Sequence, residues 1–266
     1  MAFGLYFAIG WLMPSDAGRR YRLPMSLALA VFIGMALSPT TNSLRPEESW
    51  EWIPYLAILA AFACGLTHAT GVTIGERWIA IANIAVLTAW KIVPTWDELA
   101  ATRSMQILAV AIGIALLTIL IEPLATKVPG RAFPVWLFLA AGACAVLILA
   151  EVSETFGRLA ALPASALLGC GIASRFSPGT ADWRTIGLPY AALVGGYAFT
   201  GYIYPTQPLT PLLAVPFAPL ALWICCFGPL SRLTGARALV AQALCVMTPL
   251  VIVAVLLLMR SAGEVW

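Results

Sequence analysis

The sequence predicts an all-α fold: a polytopic transmembrane helical bundle of about ten spans, forming a single integral membrane domain over residues 1–266. Three observations carry that expectation. Of 266 residues, 61% are hydrophobic and 10% charged, where soluble domains average roughly 25% charged. Apolar runs recur along the whole chain, and about 20 such residues cross roughly 30 Å of hydrocarbon. The length therefore accommodates about ten crossings and no sizeable soluble domain. Lys and Arg lie scattered between the runs, so the net charge of +3 builds no basic stripe, and nucleic acid is excluded as a partner.

Residues 2–13 are apolar but lack the basic leader and small-residue cleavage site of a signal peptide. They read as a short first span reaching only about 20 Å, which leaves a tilted crossing, a re-entrant segment and the remnant of a longer N-terminus open. Arg19, Arg20 and Arg22 precede a second span from Pro24 to Ser38, with Pro24 suited to a first helical turn. After an acidic loop with Glu47, Glu48 and Glu51, a third span covers Trp52 to Gly71. A tight turn at Gly71 to Gly75 leads into the fourth, Arg77 to Pro94. The fifth runs from Ser104 to Leu124 and the sixth from Phe133 to Ala150. The seventh is the small-residue stretch Gly157 to Arg175. The eighth, Ile186 to Tyr204, and ninth, Leu209 to Leu230, hold no charge. The tenth is Ala238 to Met259.

Alternate loops carry the cations: Arg19, Arg20 and Arg22; Arg77; Lys127 and Arg131; Arg175 and Arg184; Arg232 and Arg237. The positive-inside rule makes these loops cytoplasmic. The other set holds Glu47, Glu48, Glu51, Asp97, Glu98, Glu151 and Glu154. This places the protein in the plasma membrane, the inner membrane of a bacterium, with the C-terminus outside. The polarity also allows two five-helix halves of opposite orientation, as in many secondary transporters. In helix count alone the chain is similar to the drug/metabolite transporter superfamily. Its outward termini depart from that family, and no function is carried over.

Small residues at intervals of four allow helices to approach closely in lipid. The seventh span has Gly157, Ala161, Ser165, Gly169 and Ala173, and the third has Ala57, Ala61, Gly65 and Ala69. Both spans are therefore expected inside the bundle and not at its lipid rim. Ionisable groups at membrane depth are costly and mark cavities or pathways. His68, Asn83 and Glu122 fall at one depth on three consecutive helices and offer an imidazole, an amide and a carboxylate, while Lys91 lies near the outer end of the fourth. Lys91 either snorkels between Trp90 and Trp96 or holds an anion. Glu154 and Arg158 form an i,i+4 pair at an outer mouth, of little energetic weight.

Pro208, Pro211, Pro216 and Pro219 cannot share one unbroken helix, so a kink or break is expected at Pro216. Tyr190 and Tyr197 share a face beside it and suit an aromatic pocket. One histidine cannot ligate a membrane cytochrome haem, and no nucleophile elbow or phosphate loop is present. The six cysteines sit in apolar runs without metal-ligand spacing, so neither a metal nor a cofactor is expected. The favoured expectation is a small secondary transporter or permease for a small molecule or ion, with a pathway through His68, Asn83, Glu122, Tyr197 and Pro216. It requires a cavity reaching those residues. The alternative is a non-catalytic subunit or scaffold packed against membrane proteins, a second copy, or lipid, which requires small residues left unused on the outside. An enzyme acting on lipid at a cleft around Glu122, Arg131 and His68 is a third reading.

Overall fold

The computed structural model describes residues 1–13, 16–38, 45–68, 72–128, 132–177, 181–205 and 207–263. Among these there is no strand. Helices satisfy their backbone groups internally, as hydrocarbon surroundings demand. The first helices are α1 (Ala2–Leu12), α2 (Asp16–Ala36), α3 (Ile53–Thr67) and α4 (Ile74–Ile92). They are followed by α5 (Arg103–Lys127), α6 (Phe133–Glu151) and α7 (Glu154–Phe176). A 3₁₀ turn (Trp183–Ile186) then leads into α8 (Gly187–Tyr190), a π turn (Ala191–Gly195) and α9 (Gly196–Ile203). The rest is a 3₁₀ helix (Thr210–Ala221), α10 (Leu222–Cys225), a 3₁₀ turn (Gly228–Arg232) and α11 (Gly235–Gly263). Five helices are long and apolar enough to cross a membrane: Ser49–Thr67, Arg103–Lys127, Phe133–Glu151, Glu154–Phe176 and Gly235–Arg260. The outward face of α11 carries exposed Leu244, Val251, Val255 and Leu258, a surface that calls for lipid rather than water.

Local signals start these helices where they start. Thr73 and Glu76 form a reciprocal capping box on α4, Ser153 accepts from the Phe156 amide at 3.2 Å to open α7, and Pro134 occupies the first turn of α6. Pro24 is an exception. It lies inside α2, because that helix begins at Asp16 and carries Arg19, Arg20 and Arg22 on its own first turns.

Ring and hydrogen-bond contacts gather the loops into two ends. At the acidic end, Tyr204 meets Trp96 edge-on (5.0 Å) and Phe156 at a tilt (5.1 Å), Phe156 meets Trp50 (5.4 Å), and the Tyr204 hydroxyl donates to Glu48. Arg260, at the far end of α11, donates to the Pro208 carbonyl at 2.8 Å. At the basic end, Arg77 pairs with Glu122, Phe133 meets Trp183, and Lys127 lies 5.0 Å above the Trp223 ring. Consecutive segments from α2 to α11 thus run back and forth between these ends.

α1 does not join that alternation. Ala2 lies against Gly169, Phe3 against Phe176, and the Gly10 carbonyl accepts from Arg22 at 3.0 Å. Both ends of α1 therefore touch the basic half of the bundle. At 11 residues and about 16 Å, α1 is shorter than the roughly 20-residue helix that crosses hydrocarbon.

The most continuously buried segment is neither α3 nor α7. Residues from Gly187 to Gly201 are buried except Gly195, which is half-buried, and this segment contacts α2, α3, α5, α6 and α7. Having no charged face to present, it takes the interior. In α7 the stripe drifts, since four residues advance about 400° and each step shifts the face by about 40°. Gly157 and Ala173 are buried and Gly169 half-buried, but Ala161 and Ser165 are exposed. Gly157 meets Leu149 where α6 and α7 pair. On α3 the shorter stripe holds: Ala57, Ala61 and Gly65 are all buried, the last under the Tyr21 ring. Ala69 and Arg131, and the turn at Gly71, lie outside the described residues.

The prolines of the ninth segment produce a 12-residue 3₁₀ helix, long for this geometry. At roughly 2.0 Å per residue it covers about 24 Å, and α10 adds about 6 Å. Sixteen residues thereby span what an α-helix needs 20 for. The Pro216 carbonyl is taken by the Tyr190 hydroxyl at 3.3 Å.

Candidate functional site

The site lies at the basic end and is built by three helix termini. α3 stops at Thr67, leaving His68 as its cap residue. The His68 ring nitrogen Nδ1 is 2.8 Å from the Cys64 carbonyl, so Nδ1–H donates there and Nε2 carries the lone pair. The capped first turn of α4 presents Arg77, whose Nη2 donates to His68 Nε2 at 3.3 Å and to Glu122 Oε2 from α5. Glu122 is 7% exposed at its side chain and Arg77 33%. The second carboxylate oxygen, Oε1, is buried with no partner. Gly187 makes room for it, since a Cβ there would approach Glu122 Cγ to 2.8 Å. Cys64, His68 and Glu122 bring one ligand atom each within 4.8 Å of one another.

A second ion pair flanks the first. Asp182 accepts from the Arg184 guanidinium at 2.9 and 3.0 Å and from its amide at 3.1 Å. Burial pushes the Asp182 carboxyl up, but these hydrogen bonds and the Arg184 charge outweigh it and hold the carboxyl below its usual range. The same contacts raise Arg184. The amide and hydroxyl of Thr73, which donate to Glu76, likewise lower that exposed carboxyl. Arg77, Glu122 and Arg184, with Trp78, Ile81 and Ile119, line a cavity of about 340 Å³.

A second cavity, about 310 Å³, lies between α5, the π turn with α9, and the 3₁₀ helix. Its walls are apolar, with Gly195, Phe199, Pro216 and Phe217 among them, and Gln106 at the rim has a buried, unpartnered Oε1. Leu117 faces this cavity and Ile119 and Glu122 the other. At about 100° per residue, these are opposite faces of α5, so no single face of that helix lines both.

The structure brings His68 and Glu122 together and leaves Asn83 out. The inward face of α4 is Ile81, Ala85, Thr88, Ala89 and Ile92, and Asn83, about 200° from Ile81, is exposed. Equal depth did not mean a shared face. Tyr197 is fully buried in the core with its hydroxyl unpartnered, and it lines neither cavity; Pro216 lines the apolar one. Lys91 sits over the rings of Trp52 (4.3 Å) and Trp90 (4.8 Å). Arg158 pairs with Glu154 on an exposed surface.

Sequence reasoning missed Arg77, counted only as a loop anchor, and Cys64. The available signal was Cys64-x3-His68, one helical turn that puts both side chains on one face, followed nine residues later by a cation, Arg77, at the start of the next helix. No protein-family model matches the chain, and neither curated proteins nor solved structures give a significant match.

Proposed function

We propose that the chain is a small secondary transporter or permease, with nine crossing segments and α1 lying on the inner face. The observation that carries this reading is the Arg77–Glu122 pair, in which a carboxylate more than nine-tenths buried is held by a partly exposed arginine at the wall of a cavity. A buried intramembrane carboxylate marks an ion or substrate path more often than a structural strut. A proton or a small substrate that competes for Glu122 releases Arg77 into the cavity, and this exchange is the gating step of the reading. The basic end faces the cytoplasm under the positive-inside rule, in a bacterial inner membrane, with the N-terminus inside and the C-terminus outside. With α1 across the bundle, ten spans in inverted five-helix halves lose one member, and the reading does not use them.

Single thiols at Ile119 and Trp78, in a cysteine-free background, test it by labelling from each side. The reading expects labelling from the basic side that falls when Glu122 is replaced by Gln. Protection from both sides in folded protein would overturn it.

A second reading, a non-catalytic subunit, is favoured by Ala161 and Ser165. These small residues are exposed on α7 and unused by the fold, which is the surface a partner helix would take. Co-purification of a partner that is lost in Ser165→Leu would favour it.

A further inference from the structure

We propose that Cys64, His68 and Glu122 form a binding site for a divalent transition cation of zinc's ligand preference, with Arg77 occupying the position in its absence. The proposal does not depend on transport.

Thiolate, imidazole and carboxylate are the three ligand types that Zn²⁺ takes, and three protein ligands leave the fourth position open to water or another small ligand, whereas structural sites are closed by four. Here the three ligand atoms lie within 4.8 Å of each other. Zn–S near 2.3 Å and Zn–N or Zn–O near 2.0 Å put tetrahedral ligands roughly 3.5 Å apart, so closing on an ion takes about one ångström of movement. The orientation of the histidine is already set. Nδ1–H is bonded to the Cys64 carbonyl, as outer-shell partners do for ligating imidazoles; the Cys64 thiol lies 3.7 Å from Nδ1, and the Nε2 lone pair faces Arg77 Nη2, the group that also holds Glu122.

Two further observations point to a ligand. Glu122 Oε1 is buried without a hydrogen bond, and such orphaned acceptors call for a missing ion or water. Arg77 Nη2 contacts both His68 Nε2 and Glu122 Oε2, so a cation already bridges two of the three ligands. Its side chain is 33% exposed and borders the 340 Å³ cavity, which gives the guanidinium a place to go.

The charges balance. With Arg77 in place, its positive charge offsets Glu122, and the thiol and imidazole are neutral. On binding, the Cys64 S–H bond breaks, its proton leaves to solvent, and Sγ, Nε2 and a carboxylate oxygen each donate an electron pair to the cation. Two positive charges then meet two negative ones, so the ion and its ligands are neutral, and the one added positive charge is that of the released Arg77, carried at the cavity, where its side chain is 33% exposed. Arg77 keeps its proton and moves into the cavity.

The test is Co²⁺ titration of the purified full-length chain in detergent, with Cys225, Cys226 and Cys245 replaced by Ser because Cys225 and Cys245 lie 3.3 Å apart and offer competing thiols. The expected result is one Co²⁺ per chain with a thiolate-to-cobalt charge-transfer band, displaced by Zn²⁺. The band disappears in Cys64→Ser. Affinity falls in His68→Ala and Glu122→Gln by more than the roughly 10–100-fold that outer-shell changes cost, and rises in Arg77→Gln. Far-UV circular dichroism identifies variants that fold. A band that survives Cys64→Ser, or absence of stoichiometric binding in the folded parent, overturns the site. Weaker binding in Arg77→Gln overturns the displacement of Arg77.

Discussion

Removing Arg77 and removing Glu122 should have very different consequences, although they are partners in one ion pair. Glu122 is 7% exposed and Arg77 33%. In Arg77→Ala the carboxylate stays where it is, without its partner. Breaking a buried pair this way costs about 3–5 kcal/mol. Arg77 is itself one-third exposed, so Arg77→Ala should cost about 3 kcal/mol at pH 7, the lower end of that range. In Glu122→Gln the surviving arginine turns into the cavity, and the amide fills nearly the same volume beside Gly187. That change should cost about 1 kcal/mol. The double variant should resemble Glu122→Gln alone, so the second substitution rescues the first by about 2 kcal/mol. Equilibrium unfolding in mixed detergent–SDS micelles, for the four proteins at pH 7, measures the whole cycle. Equal costs for the two single variants would refute the argument that burial asymmetry governs this pair.

Gly187→Ala places a Cβ 2.8 Å from Glu122 Cγ and should destabilise by about 1–3 kcal/mol; Gly195→Ala, with nothing within 4 Å, should be neutral or slightly stabilising by the same unfolding assay. Because Asp182 is held below its usual value of 3.8, its contribution is present above that pH and lost as the pH falls through the lowered value. Asp182→Asn should therefore melt below the wild type at pH 7, by at most about 1 kcal/mol after solvent screening, with the two curves converging in acid. Epitope tags at the two termini should report opposite sides of the membrane in intact cells, and tags on the same side would return α1 to a crossing role. Leu in place of Ala61, buried on α3, should destabilise by about 1–3 kcal/mol, whereas Leu in place of Ala161, exposed on α7, should cost little; equal effects would mean that the α7 stripe is packed after all.

That the chain is helical, with several helices long and apolar enough to cross a membrane, was legible in its composition, because a run of about 20 apolar residues suits hydrocarbon whatever its neighbours. The tertiary structure gathers Trp50, Trp96, Phe156, Tyr204 and Arg260 at one end. The irregular ninth segment was legible for the same reason, since proline removes its hydrogen bond locally. Depth was therefore readable, and it placed His68 and Glu122 at one level. The direction in which each side chain faces was not. Depth could not separate Arg77, which joins the cluster, from Asn83, which faces out six residues later. Nor could a four-residue repeat on α7 reveal that its face rotates away from the core at Ala161 and Ser165. Only the packing of α3, α4 and α5 around Gly187 decides which groups meet, because helix rotation is set by neighbours from distant parts of the chain.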